Sequence, residues 1–194
     1  SCETQSAFPS FPTQFDTPGI HQSKWLSYFI MAAINAQVVT RSNVLRGRSK
    51  NLQYFEGVGN PDLKTALAGL ISLPLLGVCL LNPITKYVLT EFLLPKPGEG
   101  PSMDDMTNNS MLCVMGYGEG SKGTKVESII YFPKCAGYLE TARMVCESGL
   151  SLALEEDKLP TKGGGFFTPS TGLGEVLLSR LVNTGTYFAT KVIS

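Results

Sequence analysis

What this chain has least of is charge. Only 16% of its 194 residues are Asp, Glu, Lys or Arg, against roughly 25% in soluble globular proteins, so part of its surface is expected to lie against a partner or a membrane. Sixteen basic residues balance sixteen acidic ones. Without a basic field to gather phosphates, nucleic acid is excluded as a partner. Histidine is scarcer still: His21 is the only one, and a Ser-His-Asp or Cys-His site would have to be built on it. The five cysteines, Cys2, Cys79, Cys113, Cys135 and Cys146, are odd in number and contain no C-x-x-C pair. That pattern fits reduced, buried small side chains rather than a zinc site or a disulfide framework. Asp104-Asp105 and Glu155-Glu156-Asp157 have no partner histidines, so they read as solvated surface and no metal site is expected. The start, Ser1 to Gln5, lacks the basic and apolar regions of a signal peptide and reads as a point inside a longer chain. The sequon Asn108-Asn109-Ser110 matters only in a secreted protein, which nothing else here signals.

What is present divides the chain clearly. A length of 194 residues allows one domain, or a small domain with an appended segment. Residues 1–22 carry Pro9, Pro12 and Pro18 between Phe8, Phe11 and Phe15, too broken for a helix and too aromatic for a free tail, so an extended strap is expected. Residues 23–194 follow as the main domain. Within it Leu26, Ile30, Ala33, Ile34, Val38, Val44 and Leu45 recur at three- and four-residue steps, predicting an amphipathic helix from Ser23 to Arg46 that Gly47 ends. A short strand is expected around Leu52–Phe55.

Residues 63–94 form an apolar helical segment. Thr65 to Thr85 are 21 consecutive residues without a charge, close to the roughly 20 that cross a bilayer. Pro74 and the Asn82-Pro83 pair predict two shorter helices that dip into a bilayer interface or pack on a partner. A helical pair buried in the domain core fits the same residues.

Pro95 to Pro101 is the clearest internal boundary and opens a polar loop reaching about Asn109. Met111–Tyr117 and Lys125–Phe132 are rich in β-formers and predict an antiparallel hairpin that Pro133 stops. Gly137 to Leu154 is helical by period. After a turn through Asp157–Gly165 come a short extended run, Phe166–Thr168, a helix starting at Pro169 with Ser170 or Thr171 as cap, and a terminal strand from Tyr187 to Ile193. No internal repeat is visible.

Two glycine motifs bear on chemistry. Gly118-Glu119-Gly120-Ser121-Lys122-Gly123 matches G-x-G-x-x-G, but that fingerprint works only where its last glycine opens a helix. Here the β-branched run Thr124 to Tyr131 follows, so the motif reads as a hairpin turn and no cofactor site is expected in this chain. Gly163-Gly164-Gly165 lacks a following Lys-Ser/Thr pair and reads as a loop needing unusual dihedrals or close backbone approach. Arg41, with Asn35 and Gln37 on the same helix, suits contact with a partner domain or an acidic ligand, or mutual satisfaction of the three.

Three stretches together resemble one family. Met31-Ala32-Ala33-Ile34-Asn35-Ala36-Gln37-Val38-Val39-Thr40-Arg41-Ser42 looks like the helix that follows the catalytic half of saccharopine-dehydrogenase-like oxidoreductases, which include those called trans-acting enoyl reductases. Leu94 to Ser102 is similar to that family's proline-glycine loop. Gly137-Tyr138-Leu139-Glu140-Thr141-Ala142-Arg143-Met144, continued by Leu159-Pro160, Gly163-Gly164 and Phe167-Thr168-Pro169, is the third, in matching order and spacing. One departure stands out: where the family commonly has Asp-Pro-Gly-Tyr, this chain reads Lys134-Cys135-Ala136-Gly137-Tyr138, which puts a catalytic or substrate role of that turn in doubt.

The resemblance implies an α+β domain, a mixed or antiparallel sheet flanked by helices, serving as the substrate or dimerisation part of a Rossmann-type oxidoreductase. It implies NAD(P) on a nucleotide-binding half absent from this chain, and an intracellular, membrane-associated protein of lipid metabolism. Substrate contacts would come from Arg41, Tyr138, Gly163, Gly164 and Thr168. Expected partners are that Rossmann half or another protein subunit, and a membrane or lipid surface. The alternative is a non-enzymatic accessory subunit of a membrane-associated assembly that keeps the same fold.

Overall fold

A computed structural model describes residues 13–16, 23–49, 51–96 and 98–193. The chain forms two compact units, Ser1–Glu99 and Gly100–Ser194, which divide inside the Pro95–Pro101 segment. Among the described residues the fold is α+β, with seven α-helices and two three-stranded sheets, both antiparallel.

In the first unit, β1 (Thr13–Asp16), β2 (Ser23–Tyr28) and β3 (Gly57–Asn60) pair in that order, with Thr13 opposite Leu26 and Trp25 opposite Asn60. The rest of the 1–22 strap lies outside the described residues, as do His21 and Cys2. The helix expected from Ser23 begins only at Ala32, as α1 (Ala32–Leu45), because Ser23–Tyr28 is a strand. Trp25 and Tyr28 are strand formers, and two flanking strands satisfy the backbone of this segment more fully than one helix end would. Gly47 closes α1 with a left-handed φ of 62°, a conformation that glycine adopts at no steric cost. The strand expected at Leu52–Phe55 lies five residues later, at β3. Its position is fixed by pairing with β2 and by Asn60, whose side-chain amide donates to the Trp25 carbonyl at 3.1 Å and to Ser27 Oγ at 2.9 Å. A four-residue run cannot announce such long-range partners.

Asp62 caps α2 (Leu63–Leu81), its carboxylate accepting from the Thr65 N–H at 2.9 Å. The helix packs on β2 and β3 through Ala66, which is fully buried, and Gly69, where an added Cβ would sit 3.5 Å from Ser27 Oγ. Pro74, expected to divide this segment, lies within the helix. Proline removes one donor, and the good helix formers around it, eight leucines among them, carry the helix through. The break comes at Asn82-Pro83 as the sequence indicates: Asn82 is extended, at φ −90° and ψ 127°, the conformation a residue before proline prefers. Then come α3 (Pro83–Val88) and a π turn, Leu89–Leu93.

The second unit opens with α4 (Met103–Asn108), a helix inside the expected polar loop. Ser102 starts it, its hydroxyl accepting from the Asp105 N–H at 3.0 Å, while Asp104 and Asp105 sit in the favourable first turn. The hairpin β4 (Leu112–Glu119) and β5 (Lys125–Phe132) forms as predicted, and β6 (Tyr187–Val192) pairs with the other side of β5. A π turn, Ala136–Glu140, leads into α5 (Thr141–Leu154), and a 3₁₀ turn, Glu156–Lys158, follows. Phe166–Thr168 is irregular rather than a strand. The helix expected after Pro169 is split into α6 (Pro169–Gly172) and α7 (Gly174–Asn183), parted where Gly174 takes a φ of 55°. Leu159, Leu173 and Leu177 form the buried core here, with Val176 and Leu181 packed on it. Of the four described cysteines none is buried: Cys113 and Cys146 are exposed, Cys79 and Cys135 half-buried, and all four are free thiols. The expectation of buried cysteines is thereby corrected, since α2, β4 and α5 turn much of their apolar surface outward.

Candidate functional site

The densest polar chemistry lies between α5 and α7. Glu140, at the end of the π turn, is 2% exposed, and its Oε2 is ion-paired with Arg143. Arg143 donates to Glu140 Oε2 from Nε at 2.8 Å and from Nη2 at 2.5 Å. The same guanidinium reaches the Leu181 carbonyl at 3.1 Å, Thr184 Oγ1 at 2.7 Å and Thr186 Oγ1 at 2.6 Å. Two turns further along α5, Glu147 accepts from Arg180 Nε at 2.7 Å, and Arg180 Nη1 continues to Glu155 at 2.8 Å. Ser151, fully buried, donates to the Glu147 carbonyl at 2.7 Å.

This cluster clamps α5 to α7. Its carboxylates are closed off by bidentate and bridging arginines, whereas a general base needs reach to a substrate proton in an open cleft. Glu155 does not read as solvated surface in the structure. Hydrogen bonds from Arg180 and then Lys158 hold its carboxyl below the ordinary value of 4.5. Its stabilising contribution is therefore present above that value and is lost as the pH falls through the lowered one. Sequence reasoning passed over Glu140, Arg143, Glu147 and Arg180. The available signal was the spacing of Glu147 and Ser151, one turn apart on one face of α5, with Glu140 two turns before them at its entry.

The glycine loop is shaped from both ends. Lys162 Nζ donates to the Asp157 carbonyl at 2.6 Å, so the lysine closes the 3₁₀ turn. Gly163 has a φ of 86°, and a Cβ on Gly165 would lie 2.6 Å from the Phe167 ring. Both requirements read from the triple glycine, an unusual dihedral and a close approach, are met there. Thr168 is 7% exposed, and its hydroxyl pairs with that of Thr171 at 3.0 Å. Thr171 in turn accepts from the Thr168 N–H at 3.1 Å, so Thr168, rather than Ser170 or Thr171, is the N-cap of α6 and Thr171 its third residue. Gly163, Gly164 and Thr168 thus share one loop. Tyr138 stands on the π turn before α5 in the same unit, 55% exposed, while Arg41 is exposed on α1 in the first unit.

Asn35, on α1 with Arg41, donates to Glu56 Oε2 at 2.9 Å, and the Tyr54 hydroxyl donates to the same oxygen at 3.3 Å. Burial, then the charge of Glu56, then that hydrogen bond push the Tyr54 phenol up to about 12. The neutral phenol belongs to the folded state, so this contribution is complete below the ordinary value of 10.0 and is lost as the pH rises through about 12. In an ultraviolet titration one tyrosine of the seven ionises near pH 12, and Glu56→Gln lowers that step. An unmoved step would dissociate Glu56 from the shift.

The G-x-G-x-x-G segment is a hairpin turn. The Gly120 N–H donates to the Thr124 carbonyl at 2.8 Å and the Gly123 N–H to the Gly120 carbonyl at 2.9 Å, and β5 follows where a phosphate site needs a helix N-terminus. These residues do not fit a dinucleotide.

Comparison with known proteins gives one consistent result. Trans-acting enoyl reductases of Mycobacterium bovis and Mycobacterium tuberculosis are 28% identical over 179 residues, 88% of this chain and 42% of those proteins. The trans-acting enoyl reductase of Mycobacterium ulcerans is 30% identical over 170 residues, 83% of this chain and 40% of that protein. The chain therefore spans about two fifths of the length of these curated relatives. No family model matches it, and no solved structure matches it.

Proposed function

We propose that this chain is the part of an NAD(P)-dependent, saccharopine-dehydrogenase-like oxidoreductase that does not hold the nucleotide, and that it helps to form the substrate cleft and the oligomer. The observation that carries the proposal is homology to trans-acting enoyl reductases along 88% of the chain, together with an oxidoreductase-related role for it. The hairpin geometry of Gly118–Gly123 supports the second half of the reading, because it leaves the dinucleotide to be bound by another part of the protein. A reduced NAD(P) bound there would supply the hydride for reducing a conjugated double bond. Tyr138 and the Gly163–Thr168 loop would supply contacts to a lipid-like acyl substrate from the second unit, and Arg41 is a separate candidate contact on the first.

An NADPH fluorescence titration tests this. The chain by itself leaves the signal unchanged, whereas the native protein, with an intact mass more than twice 20.9 kDa, enhances it. A native mass near 20.9 kDa would sink the oxidoreductase reading. NADPH binding by the chain alone would sink its nucleotide-free half.

The exposed apolar length of α2 favours a membrane-associated setting. Among the described residues it is the one helix long and apolar enough to cross a membrane, by length and composition. An intracellular protein resting on a lipid surface through Leu63–Leu93 accommodates it, whether as an enzyme or as an accessory subunit of a membrane assembly.

A further inference from the structure

We infer that the apolar arm dips into a single leaflet of a phospholipid bilayer, with Asn82-Pro83 as an elbow beneath the headgroups, rather than crossing the membrane. The inference rests on the lipid-surface reading above and sharpens it.

Length argues against crossing. The whole of α2 would reach about 28 Å, near the roughly 30 Å of a hydrocarbon core, but its first turns are committed elsewhere. Ala66 is fully buried, and Gly69 lies against Ser27 of β2. Only Leu70–Leu81 projects, about 18 Å of helix. On that stretch Ile71, Leu75, Val78 and Leu81 are 57–85% exposed, and Ile84, Phe92 and Leu93 beyond the elbow exceed 70%.

Charge placement matches a bilayer surface. No charged residue occurs between Lys64 and Lys86, and both lysines are exposed, a cation at each boundary of an uncharged stretch facing phosphate headgroups. Lys86 also limits the depth. It stands one turn past the elbow, so its ammonium reaches the headgroups only if the elbow is shallow, within the roughly 5–10 Å of interfacial helices. The Glu91–Lys96 ion pair at 3.8 Å then marks the exit into water.

The hydrogen bonds at the elbow point to lipid rather than to water. A helix break frees backbone groups that hydrocarbon cannot satisfy. Here Asn82 Oδ1 accepts from the Ile84 N–H at 2.9 Å and the Thr85 N–H at 3.4 Å. The Thr85 hydroxyl donates to the Cys79 carbonyl, and Pro83 has no N–H to satisfy. Past the elbow the Thr90 hydroxyl donates to the Lys86 carbonyl at 2.9 Å. The Thr85 and Thr90 hydroxyls and the Asn82 amide oxygen are thus used within the arm.

Flotation with phosphatidylcholine vesicles containing a minor share of phosphatidylserine is the test. The chain co-floats, and Val78→Asp or Leu81→Asp, at exposed positions that leave the fold intact, lowers the floated fraction at least roughly tenfold. Cys79, read by peptide mass after a water-soluble maleimide, reacts several-fold more slowly on vesicles while Cys146 is unchanged. Equal flotation of the Asp variants, or an unprotected Cys79, overturns the assignment of the arm. On sealed membranes from expressing cells, tags at the two chain ends are both cut or both spared by external protease. One cut and one spared means a crossing, which overturns the single-leaflet inference and leaves lipid contact standing. A chain that stays monodisperse without detergent and ignores vesicles overturns the lipid reading itself.

Discussion

Replacing Arg143 with methionine is expected to destabilise the second unit by about 3–5 kcal/mol, the cost of stranding one member of a buried ion pair. The methionine fills much of the same volume but brings no donor. Glu140, 2% exposed, is then left with a carboxylate that loses both of its charged bonds, and the Leu181 carbonyl, Thr184 and Thr186 lose a donor as well. At a urea slope of ~2 kcal/mol per molar the midpoint falls by roughly 2 M. The companion change, Glu140→Leu with Arg143→Met, recovers most of the loss, because removing both charges removes the desolvation cost. A single variant within about 1 kcal/mol of the parent would mean that water reaches Glu140, contrary to its burial.

The second large effect is expected at Ala66. Enlarging it to leucine forces three carbons into the contact between α2 and the β2–β3 strands, an overpacking that costs about 1–3 kcal/mol. The neighbourhood has little room to yield. Ser27 and Asn60 are both buried and hydrogen-bonded to each other, and the backbone at Gly69 lies close to Ser27 Oγ. Trp25 is the chain's only tryptophan and lies two residues from Ser27 on the same strand face. Lifting α2 therefore shows as a red shift of the emission along with the lowered urea midpoint. Leu75→Ala, at a site 57% exposed, is the control and stays within about 0.5 kcal/mol. An unshifted emission for Ala66→Leu would place the helix away from that face.

Local order was legible in the sequence, and order created by distant partners was not. The β4–β5 hairpin declared itself because two runs of strand formers flank one glycine-rich turn. The end of α1 at Gly47 and the break at Asn82-Pro83 are likewise single-residue effects of backbone geometry. The strand β2 did not declare itself, since its apolar spacing also fits a helix and only β1 and β3 decide the matter. The α5–α7 clamp was hidden for the same reason: Arg180 and Glu147 are 33 residues apart and Arg143 and Thr186 are 43 apart, so which charges turn inward depends on how α7 packs. Of the candidate substrate contacts, the glycine loop was legible through its conformational demands. Arg41 and Tyr138 rest on the resemblance and on their exposed positions.

The clamp also has a consequence in time. Because Arg143 and Arg180 tie α5 to the last turn of α7 and the residues just past it, neither helix can loosen there without stranding a buried carboxylate, so the two breathe as one cooperative block. In the first unit α1 buries only Ala32 and is held near its start by the Asn35–Glu56 hydrogen bond, so less buried surface opposes its loosening than opposes that of α5.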